Sequence, residues 1–209
     1  MHVDTASAYS VLVLKPDAGW VDQAGVVSLN CAPWALPGFG APALPSVQGL
    51  EVLGSLGADI FQSQPMVFDV SRNEVRLGSS DGGVRADIEL VQGVIVVKAS
   101  FDGRPVRLLL DTGSSDSLWL GAPAKPGDQE VVTTDYLGRE LRLYRGSVTL
   151  DLGRGPRTVP VFHAPSFPLL ESLQMQLGTP LDGLLGLSSF SALGFSKFET
   201  GSSELRIVE

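Results

Sequence analysis

Asp111-Thr112-Gly113-Ser114-Ser115 follows the apolar run Val106-Arg107-Leu108-Leu109-Leu110, and a similar Asp4-Thr5-Ala6-Ser7 stands near the start of the chain. An Asp-Thr-Gly after a buried strand has a chemical logic. The glycine lets the backbone turn sharply and brings amides close to the carboxylate. The Thr hydroxyl can hydrogen-bond across to a partner loop. Two such loops related by an approximate two-fold axis bring their carboxyl groups to about 3 Å, where both cannot ionise and one proton is shared. One carboxylate then takes a proton from water, while its protonated partner hydrogen-bonds the carbonyl under attack. Asp111 and Asp4 are therefore the catalytic candidates, with Thr112, Gly113, Ser114, Thr5 and Ala6 shaping their loops. This chemistry calls for no metal or cofactor, and His2 and His163 are too few and too isolated for a zinc site or a Ser-His pair.

The two loops belong to a longer internal repeat. Asp4-Thr5-Ala6-Ser7 with Ser10 matches Asp111-Thr112-Gly113-Ser114 with Ser117. Gly54-Ser55-Leu56-Gly57 with Phe61 matches Gly183-Leu184-Leu185-Gly186 with Phe190, and Phe68 to Leu77 matches Phe198 to Ile207. The chain thus reads as two duplicated lobes, 1–85 and 86–209. The interval from Asp4 to Gly57 is shorter than that from Asp111 to Gly186, and the deficit falls where the second half has room for a hairpin. One hairpin is expected, from Thr133 to Leu143, with no counterpart in the first lobe. The first lobe also lacks strands before Asp4 like those between Ala86 and Leu110, so it reads as truncated or as completed by a second chain.

The elements that must position these loops are short. Only 18% of residues are charged, while 24 Gly and 14 Pro interrupt the chain, which favours strands and turns over long helices and an all-β class. Phe101-Asp102-Gly103-Arg104 lies between the apolar clusters Val94 to Val97 and Val106 to Leu110, a hairpin signal. Pro168 to Leu177 is the best short helix. Cys31 to Val47, with four prolines and no charge, reads as an irregular loop, and Gly121 to Gly127 as another. A formal charge of −8 without a basic cluster argues against nucleic acid as a partner. No apolar run approaches the roughly 20 residues of a membrane span. The single cysteine, Cys31, allows no internal disulfide. The compartment stays open between cytosol and a periplasmic or extracellular setting.

In these motifs the sequence resembles the aspartic peptidases, most closely the retropepsin-like branch with its bacterial members. Val106 to Ser115 looks like the family's strand into its catalytic loop, and Leu184-Leu185-Gly186 like the apolar pair and glycine that cross behind that loop. Thr134-Asp135-Tyr136-Leu137-Gly138 occupies the position of the family's substrate-covering flap, with Tyr144 a second flap aromatic to consider. The resemblance implies the two-lobed aspartic-protease fold: closed, barrel-like β lobes with a cleft between them, holding an extended peptide or protein substrate. Its implied activity is endopeptidase hydrolysis by an aspartate dyad, without a cofactor. Ala6 departs from the family's glycine. A peptide-binding or regulatory protein of the same fold, with an impaired dyad, is the alternative.

Overall fold

The computed structural model describes residues 2–3, 11–13, 26–29, 32–35, 39–41, 54–57, 65–69, 72, 74–77, 82–121, 123–134, 139–194, 197–200 and 205–208. The first strands are β1 (His2–Val3), β2 (Val11–Val13), β3 (Val26–Leu29), β4 (Ala32–Ala35), β5 (Phe39–Ala41) and β6 (Gly54–Leu56). β1 runs parallel to β6, β6 antiparallel to β2, and β2 parallel to β5. β3 and β4 form a separate antiparallel hairpin, with Leu29 opposite Ala32.

Two expectations fail here. The segment from Cys31 to Val47 is not wholly irregular, because it contains β4 and β5. Proline is tolerated on an edge strand, and Pro33 sits opposite Ser28 in a two-stranded sheet in which both strands are edges. The first half also has a hairpin, β3–β4, in the interval between β2 and β5. The shorter interval there accommodates strands of four residues each, so the deficit shortens the hairpin without deleting it.

β7 (Met66–Asp69), β8 (Glu74–Leu77) and β9 (Val84–Ala86) lead into the large sheet. Its strands are β10 (Ile88–Val91), β11 (Val94–Phe101), β12 (Arg104–Leu110), β13 (Leu118–Leu120), β14 (Gln129–Thr134), β15 (Glu140–Asp151), β16 (Arg157–Ala164) and β17 (Gly183–Leu185). Helix α1 (Pro168–Leu177) precedes β17 and α2 (Leu187–Ala192) follows it; β18 (Lys197–Thr200) and β19 (Leu205–Val208) complete the described chain. The strand order is β10-β11-β12-β17-β13-β16-β15-β14, and pairing of β11 with β15 closes six of these strands into a ring. The described residues are thus predominantly β, as composition predicts.

The internal repeat reappears as a repeat of topology. β12 runs parallel to β17, β17 antiparallel to β13, and β13 parallel to β16, the senses found in β1-β6-β2-β5. The registers correspond as well: Val3 opposes Leu56 as Leu110 opposes Leu185, Val11 opposes Ser55 as Leu118 opposes Leu184, and Leu12 opposes Gly40 as Trp119 opposes His163. A third, five-stranded sheet of order β8-β7-β18-β19-β9 joins the two repeated hairpins, with Phe68 directly opposite Phe198.

Three consecutive leucines in β12 follow from its position between two cores. Leu108 and Leu110 join Phe101, Leu150, Val159 and Phe190 in one cluster, while Leu109 joins Val96, Leu118 and Leu184 in the other. A strand buried on both faces needs a continuous apolar run where a half-exposed one would alternate. Turn chemistry agrees with the sequence: Asp102 and Gly103 both have positive φ, 50° and 75°, between the paired residues Phe101 and Arg104. Helix α1 occupies the expected residues, opening on Pro168 and closing on Gly178 in the left-handed conformation. Leu170, Leu173 and Leu177, one face of that helix, pack on the second cluster.

Leu109→Ala and Leu110→Ala should each cost about 2–5 kcal/mol in urea unfolding, because each deletes fully buried volume on a different face. Val132→Ala, at an exposed site, should change stability by about 0.5 kcal/mol or less. A strand with one solvated face would leave one of the two leucine variants near wild type.

Candidate functional site

β12 delivers Asp111 to the end of the sheet, where its amide donates to the Leu185 carbonyl at 3.1 Å. The chain then turns tightly: the Ser114 amide donates to the Asp111 carbonyl at 3.3 Å, and the Gly113 amide to Asp111 Oδ1 at 2.9 Å. Asp111 is half-buried and Thr112 buried, while Gly113 is exposed. An amide does reach the carboxylate, as the motif predicts. The left-handed backbone does not enter, because Gly113 is not among the positive-φ glycines.

The segment Gly183 to Gly186 locks the Asp111 loop from behind. The Leu187 amide donates to the Ser114 carbonyl at 3.0 Å and the Ser188 amide to that of Ser115 at 2.8 Å. Ser117, fully buried, accepts from the Gly186 amide at 2.9 Å and shares a 2.6 Å hydrogen bond with Ser189. Ser114 Oγ donates to the Asp116 carbonyl at 2.8 Å. A Cβ on Gly186 would strike the Asp116 and Ser114 carbonyls, and one on Gly183 the Leu118 carbonyl. These neighbours are backbone and cannot rotate away. The glycine singled out in the sequence thus owes its place to close backbone approach, and the apolar pair before it to burial in the two cores. Ser117 was legible through its echo at Ser10; Ser189, on α2, carried no sequence signal.

Beside this loop lies a pocket of about 340 Å³. Ser114 and Ser117 supply its polar rim, Val131 and Leu141 come from the β14–β15 hairpin, and Phe162 and Leu184 line the rest. The volume falls within the range of small-molecule and side-chain sites. The hairpin expected from Thr133 to Leu143 is present, pairing Thr133 with Leu141 and Thr134 with Glu140. Its inner face stands over the pocket. Tyr144 lies farther along β15, opposite His163, away from the hairpin tip. Asp4, Thr5, Ala6, Asp135, Tyr136, Leu137 and Gly138, together with the Thr134 side chain, lie outside the described residues.

The opposite face of the same strands carries a separate polar group. Trp119 and His163 alternate with Leu118 and Phe162 and lie against each other with ring centroids 5.6 Å apart. Burial first, and then Lys125, hold the His163 imidazole below its ordinary value, outweighing Asp128 and Asp102, which act to raise it. Burial would raise the Asp102 carboxyl, but the Lys125 hydrogen bond, the Thr149 amide at 2.8 Å and the Lys125 charge together keep it below the usual carboxylate value. No group of three or more His, Cys, Asp or Glu that could hold a metal occurs among the described residues. Among them, no helix is long and apolar enough to cross a membrane.

No protein-family model and no curated protein matches the chain.

Gly186→Ala should cost about 1–3 kcal/mol or more in denaturant unfolding, since the methyl must displace backbone. An Ala variant as stable as the parent would refute the close approach. A second expectation concerns pH. His163 takes up a proton in the unfolded chain near 6.5 but resists it when folded, so stability should be full above 6.5 and fall as pH drops below it. Asp102, depressed in the fold, adds stability above 3.8 that is lost as pH falls through its folded value. Melting curves of His163→Phe should lack the upper of these two losses.

Proposed function

We propose that the chain is an aspartic-type endopeptidase, with Asp111 and Asp4 forming a dyad that activates water against a peptide carbonyl. The observation that carries this reading is the doubled register: Asp4 follows Val3 of β1 just as Asp111 follows Leu110 of β12, in strand units of the same order and sense. Two loops that end equivalent strands of a duplicated unit are what a dyad on a pseudo-two-fold requires. Residues 1–85 and 86–209 are then the two lobes of an aspartic-protease fold, and the five-stranded sheet joining β7 to β18 ties them together.

In this mechanism one carboxyl holds the shared proton and hydrogen-bonds the substrate carbonyl, while the other, ionised, takes a proton from the attacking water. The tetrahedral intermediate collapses when the leaving amine is protonated. The apolar pocket between the β14–β15 hairpin and the Ser114 loop accepts a substrate side chain, and that hairpin serves as the flap. The Gly113 amide, donating to the Asp111 carboxylate, orients that carboxyl, while the Asp111 amide, donating to the Leu185 carbonyl, anchors its backbone, with Thr112 and Ser114 as supporting residues. β1 is an edge strand of its sheet, whereas its counterpart β12 has β11 beside it, so a strand from a second chain fits the open side.

An unbiased peptide library incubated with the purified chain across pH should be cleaved best in acid, because the dyad needs one proton and two close carboxyls retain it above the normal Asp value near 4. Asp111→Asn and Asp4→Asn should each reduce turnover at least about 100-fold with an unchanged melting temperature. Equal cleavage at pH 9 and pH 5, or full activity of Asp111→Asn, would remove the dyad mechanism. A chain that binds peptides tightly without cleaving them at any pH would instead mark a binding module of the same fold.

A further inference from the structure

Behind the candidate catalytic loop, on the other face of β13 and β16, lies a second pocket of about 400 Å³. Trp119, Pro123 and Pro126 are among its apolar walls, His163 contributes to its lining, and Arg104, Lys125 and Asp102 bring charge to it. His163 is fully buried, yet neither ring nitrogen has a hydrogen-bond partner among the described residues. Its nearest acid, Asp128, is 3.6 Å from Nε2, too far for a hydrogen bond, and is already engaged by the Lys125 amide at 2.7 Å. A buried polar group without a partner carries a desolvation cost. Lys125 reaches over the Trp119 ring at 5.8 Å and is paired with Asp102, so the charges of that pair offset each other. Arg104 has no partner for its guanidinium among the described residues.

We propose that this pocket binds a small organic carboxylate on a flat or branched apolar body. Arg104 is the unpaired cation that takes the carboxylate, in the forked geometry that suits guanidinium and carboxylate groups. Trp119, with the buried His163 ring against it, and the two prolines hold the apolar body. A chain with a formal charge of −8 has little general attraction for anions, so such binding must arise locally. The carboxylate can come from a free aromatic acid or from the C-terminal residue of a peptide. This proposal is independent of the peptidase reading, since its residues lie on the opposite face of the sheet from the Asp111 loop.

The test is a nitrogen-15 NMR titration of the Asp111→Asn chain, which keeps peptide probes intact, using phenylacetate, phenylacetamide, and a short peptide ending in Phe as free acid or as amide. Phenylacetate should shift the Trp119 indole resonance saturably with a Kd of about 1 mM or tighter, as suits a ligand of its size. The uncharged phenylacetamide should bind at least 10-fold more weakly. Arg104→Ala, an exposed change, should weaken phenylacetate at least 10-fold without altering the melting temperature. Binding of the free-acid peptide alongside phenylacetate assigns the site to peptide C-termini; binding of phenylacetate alone assigns it to small acids. Either result supports the carboxylate site. No saturable shift up to 10 mM of any probe, equal binding of phenylacetamide, or unchanged affinity in Arg104→Ala would overturn it.

Discussion

At Gly183 and Gly186 the chain passes other backbones at distances that leave no room for a side chain, and most of the fold around Asp111 follows from that passage. On one side β17 lies in parallel register with β12, so Leu185 fixes the amide of Asp111. On the other it lies antiparallel to β13, with Gly183 opposite Trp119. Beyond Gly186, the amides of Leu187 and Ser188 reach back to the Ser114 and Ser115 carbonyls. The loop of Asp111 is thereby held at both ends and along its middle by main chain, leaving its orientation little dependent on flexible side chains. Ser117 and Ser189 complete the arrangement with a buried hydroxyl pair that satisfies the Gly186 amide. Such rigidity is what the proposed dyad would require of Asp111.

That passage was legible because close backbone approach leaves a compositional trace. Apolar-apolar-Gly at a fixed interval after Asp-Thr-Gly, with an echo in the first half, identifies both strands of the crossing. The β11–β12 turn was legible for a related reason: Asp-Gly between apolar runs demands positive φ at both residues, and both have it. Helix α1 announced itself through Pro168 and Gly178. The β3–β4 hairpin was not legible, since prolines that break interior strands say nothing against edge strands. Nor was the neighbourhood of Trp119 and His163. They are distant in sequence and meet only through the parallel register of β13 and β16, which no local pattern encodes.

The same two strands serve two environments because side chains alternate across a sheet. Leu118 and Phe162 face the pocket beside the Asp111 loop; Trp119 and His163 face the other. Neither strand can shift by one residue without exchanging the two sets. The parallel pairing of β13 with β16 therefore determines both pockets at once. It also makes the two chemically unlike: one is lined by hydroxyls, Asp116, aliphatic residues and phenylalanines, the other by a buried imidazole, an indole, cations and Asp102. A duplicated unit need not preserve such differences, since only the backbone register is common to both copies.

Register is also what gives Asp4 its meaning. A carboxylate near a chain's beginning has no inherent partner, and its motif differs from that of Asp111 by a methyl group. Gly113 does not have a left-handed backbone, so the glycine of the Asp-Thr-Gly motif is not one that positive φ requires. The constraints that do forbid side chains fall at Gly183 and Gly186, and the first half retains glycine at the corresponding Gly54 and Gly57. The glycines that backbone contact demands at Gly183 and Gly186 thus have counterparts in the first half, where the crossing repeats the same strand senses.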